Sequence, residues 1–303
     1  MNRELESIRN AFSAQYGKDN VETVELYPGI ELSYFTLTTD HLSVSHAALD
    51  HILEIHYCRA GRIGWNMGNG NSVYLGEKDF SLHTLKVCKD SVISLPTGHY
   101  EGLTISIDLN ALTDRSPEIF AGTGITGTFL YDKFCTDDAI LSFAGDERTE
   151  SIFSGFFDQP EHLRLPYQKI KVVELLLYLS KLKLDQNSSL TEYQSEQIEI
   201  IRKIHKQLIE HMDQRFTIEA LAKQYLMNPT TLKAMFKSVY GISIAAHIRE
   251  HRMEEAARLL RETNMRVAEI AGRVGYDSQS KFTTAFKEAY HTLPTQYRKK
   301  QSL

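Results

Sequence analysis

The chain has 303 residues, 42% of them hydrophobic and 24% charged, a composition of soluble globular proteins that at this length suits two domains rather than one. The first ten residues, MNRELESIRN, place charges where a secretory signal needs an apolar run. No stretch approaches the ~20 apolar residues of a membrane span, so the expected location is the cytoplasm, with no membrane partner. The net charge of -5 conceals an asymmetry: residues 1–194 carry 16 Lys and Arg against 27 Asp and Glu, whereas residues 195–303 carry 18 against 12. An acidic front half is unsuited to a polyanion; the basic back half suits one, although a solvated basic surface would give the same count.

Residues 29–109 alternate in short strand-like runs, among them 31–37, 52–57 and 103–109, with glycine turns at Gly61, Gly64 and Gly68 to Gly70. Many short strands separated by turns point to a sandwich or a small barrel. Cys58, Cys88 and Cys135 fall in this half or just beyond it. Their odd number and lack of C-x-x-C spacing read as buried thiols of a reducing compartment. The pattern then changes: over residues 165–184, Ile170, Val173, Leu176, Leu177 and Ser180 recur at three and four spacing, which predicts an amphipathic helix. The polar stretch DQNSSLTEYQ, residues 185–194, reads as a linker, and everything after it reads as helical.

The helical part contains an internal repeat of about fifty residues. Ile218, Leu221, Ala222 and Tyr225 recur as Val267, Ile270, Ala271 and Val274, and Leu232, Phe236, Lys237 and Tyr240 recur as Phe282, Phe286, Lys287 and Tyr290, with one extra residue in the second turn. Each copy predicts a helix-turn-helix in which the small Ala222 or Ala271 lets two helices cross closely. Asn228 is placed to cap the second helix of the first copy, with Pro229 at the first helical position, where a missing N–H costs nothing. In the second copy Gly275 makes the turn and Asp277 or Ser278 caps.

Four features in order carry a resemblance over residues 195–300: the two helix-turn-helix units, the joining run HIREHRMEEAARLL from His247, the run VAEIAGRVGYDSQSKFTTAFKEAY from Val267, and the closing LPTQYR from Leu293. In these the chain resembles the AraC/XylS family of transcriptional regulators. The resemblance implies a non-enzymatic DNA-binding regulator whose partners are double-stranded promoter DNA, RNA polymerase and a second copy of the chain. It implies groove-facing residues Thr230, Thr231, Lys233 and Ala234 on the first recognition helix and Gln279, Ser280, Lys281 and Thr284 on the second. A joining helix of ~20 residues, about 244–263, would span ~30 Å, close to one DNA turn of ~34 Å, so one chain could read two successive major grooves. Gln279 suits adenine and Lys233 guanine. Lys237, Lys287 and Arg298 suit phosphates. Ala234 and Thr284 are shorter than the side chains the family often carries there, and contact with a thymine methyl could replace hydrogen bonding.

Ahead of this domain the pattern resembles the cupin-like barrel that many family members carry, with the turn Pro96-Thr97-Gly98-His99 before a late strand. The helix at 165–184 is similar in placement to the family's dimerising helix, though its apolar face could equally pack on its own barrel. The expected fold class is thus multi-domain α+β: a cupin-like β-barrel with a dimerisation helix over residues 1–184, a linker over 185–194, and an all-α double helix-turn-helix domain over 195–303. A metal cupin needs an H-x-H pair with a following Glu. Here His51 and His56 are five apart, on opposite faces of a strand, and His46, His83 and His99 have no partner spacing, so isolated histidines are expected, with no metal and no cofactor. No G-x-S-x-G, P-loop or Cys/His nucleophile pair is present, and no catalytic residue is expected. A small-molecule effector in the barrel would meet His56, Tyr57, Arg59, Trp65 and Tyr100. Two other readings stay open: a regulator gated by a partner protein or by dimerisation alone, and a metal-dependent cupin enzyme fused to a DNA-binding domain.

Overall fold

In the computed structural model the described residues are 5–6, 10, 17, 20–43, 46–68, 70–184, 190 and 193–301. They divide into two units, Met1–Ser195 and Glu196–Leu303.

In the first unit, strands β1 (Val21–Tyr27), β2 (Ile30–Leu37), β4 (Ile52–Gly61), β7 (Phe80–Thr84), β9 (Tyr100–Asp108) and β10 (Leu141–Phe143) form an antiparallel sheet in the order β1-β2-β9-β4-β7-β10. Strands β3 (His41–Ser43), β5 (Ile63–Asn66), β6 (Asn71–Leu75), β8 (Val92–Ser94) and β11 (Tyr193–Gln194) form a second, in the order β11-β6-β5-β8-β3. An apolar cluster including Phe35, Leu37, Cys58, Ile63, Trp65, Val73, Ile93 and Tyr100 draws on both sheets. The larger sheet is covered on its other face too, by helices α1 (Leu109–Asp114), α2 (Gly127–Phe134), α3 (Glu147–Ser154) and α4 (Glu161–Lys181), against which Leu32, Leu53, Ile55, Leu103 and Ile105 pack. Strand alternation therefore sorts β4 between two buried environments: Leu53, Ile55 and Tyr57 face the helices, while Glu54, His56 and Cys58 face the barrel interior. Only glycine fits at position 102, where β9 passes β4, because a Cβ there would lie 2.3 Å from the Tyr57 carbonyl oxygen.

Helix α4 is amphipathic, and the stripe it buries is Val172, Leu175, Leu176 and Leu179; of the face read from the sequence, Leu176 is buried and Val173 packs partly buried against the same core, while Ile170 is 63% exposed and Leu177 39%. The helix carries two apolar stripes, and the covered one gains ~1.5 to 3 kcal/mol per fully buried side chain. The expected linker also differs at its end. Tyr193 and Gln194 pair with Ser72 and Asn71, so they close an edge of the second sheet; residues 185–189 and 191–192 lie outside the described residues. All three cysteines are buried and free, and burial pushes the Cys58 and Cys135 thiols up to about 12.

The second unit is built of α5 (Ser195–Glu210), α6 (Ile218–Gln224), α7 (Pro229–Tyr240), α8 (Ile244–Glu262), α9 (Val267–Arg273), α10 (Gln279–Tyr290) and α11 (Pro294–Gln301). Among the described residues no helix of the chain is long and apolar enough to cross a membrane.

Candidate nucleic-acid interface

The two halves of the repeat are two equivalent helix pairs. α6 and α9 have 7 residues each, and α7 and α10 have 12. Ala222 and Ala271, both buried, use their carbonyls in the same way, accepting at 2.9 Å from the N–H five residues on, that of Met227 or Tyr276. Each turn passes through a left-handed residue, Leu226 at φ 53° in the first copy and Gly275 at φ 77° in the second, where a Cβ would lie 2.4 Å from the Met212 carbonyl. Asn228 accepts from the Thr230 and Thr231 N–H groups at 2.8 and 3.4 Å, with Pro229 at the first helical position. In the second copy the cap is Ser278, which accepts from the Lys281 N–H at 3.4 Å.

These caps orient helices that are apolar on one side only. Leu232, Met235, Phe236 and Val239 of α7 and Phe282 and Phe286 of α10 are fully buried. The opposite sides are open: Thr230, Thr231, Lys233, Ala234 and Lys237 on α7, and Gln279, Ser280, Lys281, Thr284 and Lys287 on α10, are all exposed. Lys233 and Lys237, four apart, share a face, and so do Ser280 and Thr284. Thr284 Oγ1 donates back to the Ser280 carbonyl at 3.2 Å. No carboxylate among the described residues pairs with Lys233, Lys237, Lys281 or Lys287. Between the two pairs runs α8, 19 residues long with Ser243 as its cap, hence about 28 Å at ~1.5 Å per residue.

Arg298, expected to meet phosphates, also has a structural role. Its Nε and Nη2 donate to the carbonyls of Leu260 and Met265 at 3.2 and 2.7 Å, so the guanidinium fastens α11 to the end of α8. Arg252 is a similar staple that nothing in its spacing announced: it donates to the carbonyls of Met212 and Gln214 at 2.9 and 3.0 Å and lies over the Tyr276 ring.

In the barrel, three of the five effector candidates meet around one cavity and two do not. His56, Trp65 and Tyr100 line a cavity of about 40 Å³ together with Phe35, His46, Glu54, Cys88 and Thr104. Tyr57 is turned to the helices, stacked 4.2 Å from Phe153, and burial pushes its hydroxyl up to about 12. Arg59 sits at the surface, paired with Glu101 and Asp158.

The expectation of isolated histidines is overturned. Strand register sets Glu54 opposite His83 and His56 opposite Ser81. The His56 and His83 rings stack at 4.8 Å, His56 Nε2 lies 3.2 Å from Glu54 Oε2, and His46 Nε2 lies 3.4 Å from Cys88 Sγ. Thr104 Oγ1 is hydrogen-bonded to His56 Nδ1 at 2.8 Å, and Ser106 donates to Glu54 at 3.2 Å. Burial alone would raise the Glu54 pKa, but His56, with His83 and His46 beyond it, outweighs burial and holds the carboxyl below its ordinary range. His83 is pushed down to about 3 by burial and then by His56, so it is neutral, and neither of its ring nitrogens has a hydrogen-bond partner among the described residues.

Comparison with known proteins bears on the second unit above all. Residues 221–300 match a family model described as a helix-turn-helix domain. The HTH-type transcriptional regulator AlkR of Acinetobacter baylyi is 32% identical over 83 residues, 27% of this chain and 27% of that protein. The transcriptional regulator Rob of Salmonella typhimurium is 36% identical over 104 residues, 34% of this chain and 36% of that protein. Among solved structures, the C-terminal domain of AraT, a response regulator from Geobacillus stearothermophilus, is 40% identical, covering 33% of this chain and 84% of that one with a TM-score of 0.32. The chain thus spans between about a quarter and a third of the length of the curated relatives it matches.

Proposed function

With an AraC/XylS-type helix-turn-helix DNA-binding domain at the C-terminal end of the chain, we propose that the protein is a sequence-specific transcriptional regulator that lays α7 and α10 into successive major grooves on one side of a duplex. The observation that carries this is the pair of equivalent, open helix faces joined by α8, whose ~28 Å approaches one DNA turn. Lys233 and Gln279 read bases, guanine and adenine respectively, with Thr230, Thr231, Ala234, Ser280, Lys281 and Thr284 beside them. The methyl of the exposed Thr284 suits a thymine. Lys237 and Lys287 neutralise phosphates and set the register. Such a regulator works in the cytoplasm at a promoter, where RNA polymerase is its further partner. Replacing Lys233 or Gln279 by Ala should weaken operator binding by ~1 to 3 kcal/mol per lost contact and leave binding to random DNA nearly unchanged. Equal losses on both DNAs would remove these residues as base readers.

Control is assigned to the first unit. The polar groups His46, Glu54, His56 and Thr104 that line the small cavity support an effector that is small and carries a polar group. The space of about 40 Å³ is far below the ~300 to 1,000 Å³ of metabolite pockets, and this specific feature favours a second reading in which dimerisation or a partner protein does the gating. The outward stripe of α4, with Tyr167, Ile170 and Leu177, supports a homodimer built on that helix. A melting-temperature screen of polar metabolites separates the two: a ligand-specific rise that His56→Ala abolishes supports the effector, and no rise with any compound supports gating by assembly.

A further inference from the structure

The second unit contains three histidines that the DNA-binding reading does not use. His247 and His251 stand four residues apart on α8 and so on one face of it, and His205 reaches them from α5. The ring centroids are 4.9 Å apart for His205 and His247, 4.6 Å for His247 and His251, and 5.9 Å for His205 and His251. One ring nitrogen of each lies within 4.8 Å of the corresponding atoms of the other two. In a tetrahedral shell with Zn–N bonds of ~2.0 to 2.1 Å, donor atoms sit about 3.4 Å apart, so small side-chain rotations complete the convergence.

We propose that His205, His247 and His251 bind a divalent transition-metal ion of the zinc class, which ties the first helix of the domain to the joining helix beside the first helix-turn-helix. The internal repeat supplies the comparison that separates a ligand set from ordinary aromatic packing. Phe236, Tyr240 and His247 of the first copy correspond to Phe286, Tyr290 and Tyr297 of the second, and the rings pack alike: His247 is 5.4 Å from Phe236 and 5.0 Å from Tyr240, and Tyr297 is 5.4 Å from Phe286 and 5.2 Å from Tyr290. Packing is therefore satisfied by a tyrosine, whose hydroxyl accepts a hydrogen bond from Arg261 at 2.9 Å. In the first copy the same place holds an imidazole whose Nε2 is buried without a hydrogen-bond partner among the described residues and which has two further imidazoles beside it. A buried polar atom without a partner is costly, and a metal bond removes that cost.

The surroundings suit an ion. Burial, and the neighbouring histidines after it, holds His205 down to about 4 and His247 to about 3, so both are neutral bases near pH 7. Glu254 Oε2 lies 3.3 Å from His251 Nδ1, the carboxylate–imidazole contact that fixes a ligating ring and leaves its Nε2 for the metal. His251 is 33% exposed, which gives an entry path and room for water in a fourth position. Imidazole donors select zinc, copper or nickel over magnesium or calcium.

The test is a titration of metal-free, full-length protein with Zn2+ in competition with a chromophoric chelator, together with the absorption spectrum of the Co2+-loaded protein. One equivalent of bound metal should be lost in His251→Gln and in His205→Gln, both at partly exposed positions where the fold, checked by circular dichroism, survives. Glu254→Gln should weaken that equivalent roughly 10- to 100-fold, and Cys88→Ser in the barrel should leave it intact. Bound Co2+ should show ligand-field bands without thiolate charge transfer from this equivalent. Identical Zn2+ stoichiometry and affinity in wild type and His251→Gln, or Co2+ bands arising from thiolate coordination alone, would overturn the proposal.

Discussion

Arg252 and Arg298 give N–H groups to backbone carbonyls 33 to 40 residues away, so each guanidinium ties distant segments of the domain together. Arg298→Met should therefore lower unfolding stability by ~1 to 3 kcal/mol, measured by urea denaturation. Lys237→Ala should instead reduce the slope of log affinity against log salt by about 1 with little change in stability. The second turn offers a local check: Gly275→Ala forces a side chain into the left-handed region and against the Met212 carbonyl, and should cost at least ~1 to 2 kcal/mol. At this scale the sequence revealed what local chemistry decides. Asn228 and Pro229 announced a helix start because a cap and a missing N–H act on the nearest turn. The two arginines stayed hidden because their partners come from distant segments, and a basic residue near the end of a DNA-binding domain reads equally well as a phosphate ligand.

Among elements, α4 shows how periodicity announces a helix without saying what each of its apolar faces meets. Two apolar stripes run along it, and spacing alone cannot say which one the barrel covers; the barrel takes Val172, Leu175, Leu176 and Leu179. If the open stripe joins two chains, Ile170→Glu should convert the dimer to monomer in sedimentation without lowering the melting temperature by more than the dimer contributed. A dimer that persists would assign the interface elsewhere. The histidine cluster of the barrel was illegible for another reason. His56 and His83 are far apart in the chain, and the antiparallel register of β4 and β7 alone stacks their rings. This cluster makes the first unit sensitive to acid. His83 binds its proton near pH 6.5 when unfolded but only at about 3 when folded, so its contribution to stability is complete above pH 6.5 and is lost progressively as the pH falls toward 3. Urea midpoints between pH 7.5 and 4.5 should fall in the wild type, and His83→Gln should flatten the dependence.

For the molecule as a whole, the strongest signal in the sequence was the repeat, because two copies of one pattern test each other. The 49-residue offset of α6 and α9 becomes 50 for α7 and α10, and the structure places the extra residue in the second turn. The charge division follows the same boundary, with the excess of Lys and Arg confined to residues 195–303. The front unit was legible as β-rich, from its alternation and turns, but its polar interior was not, since which residues line a barrel depends on pairing rather than on composition. The central claim is that one chain reads two successive grooves through α7 and α10, and it is tested most directly by selecting binding sites from random duplex DNA with the purified full-length protein. The expected result is a motif of two short boxes about one helical turn apart, with Lys233→Ala relaxing one box and Gln279→Ala the other; a single box altered by both substitutions, or no enriched motif, would contradict it.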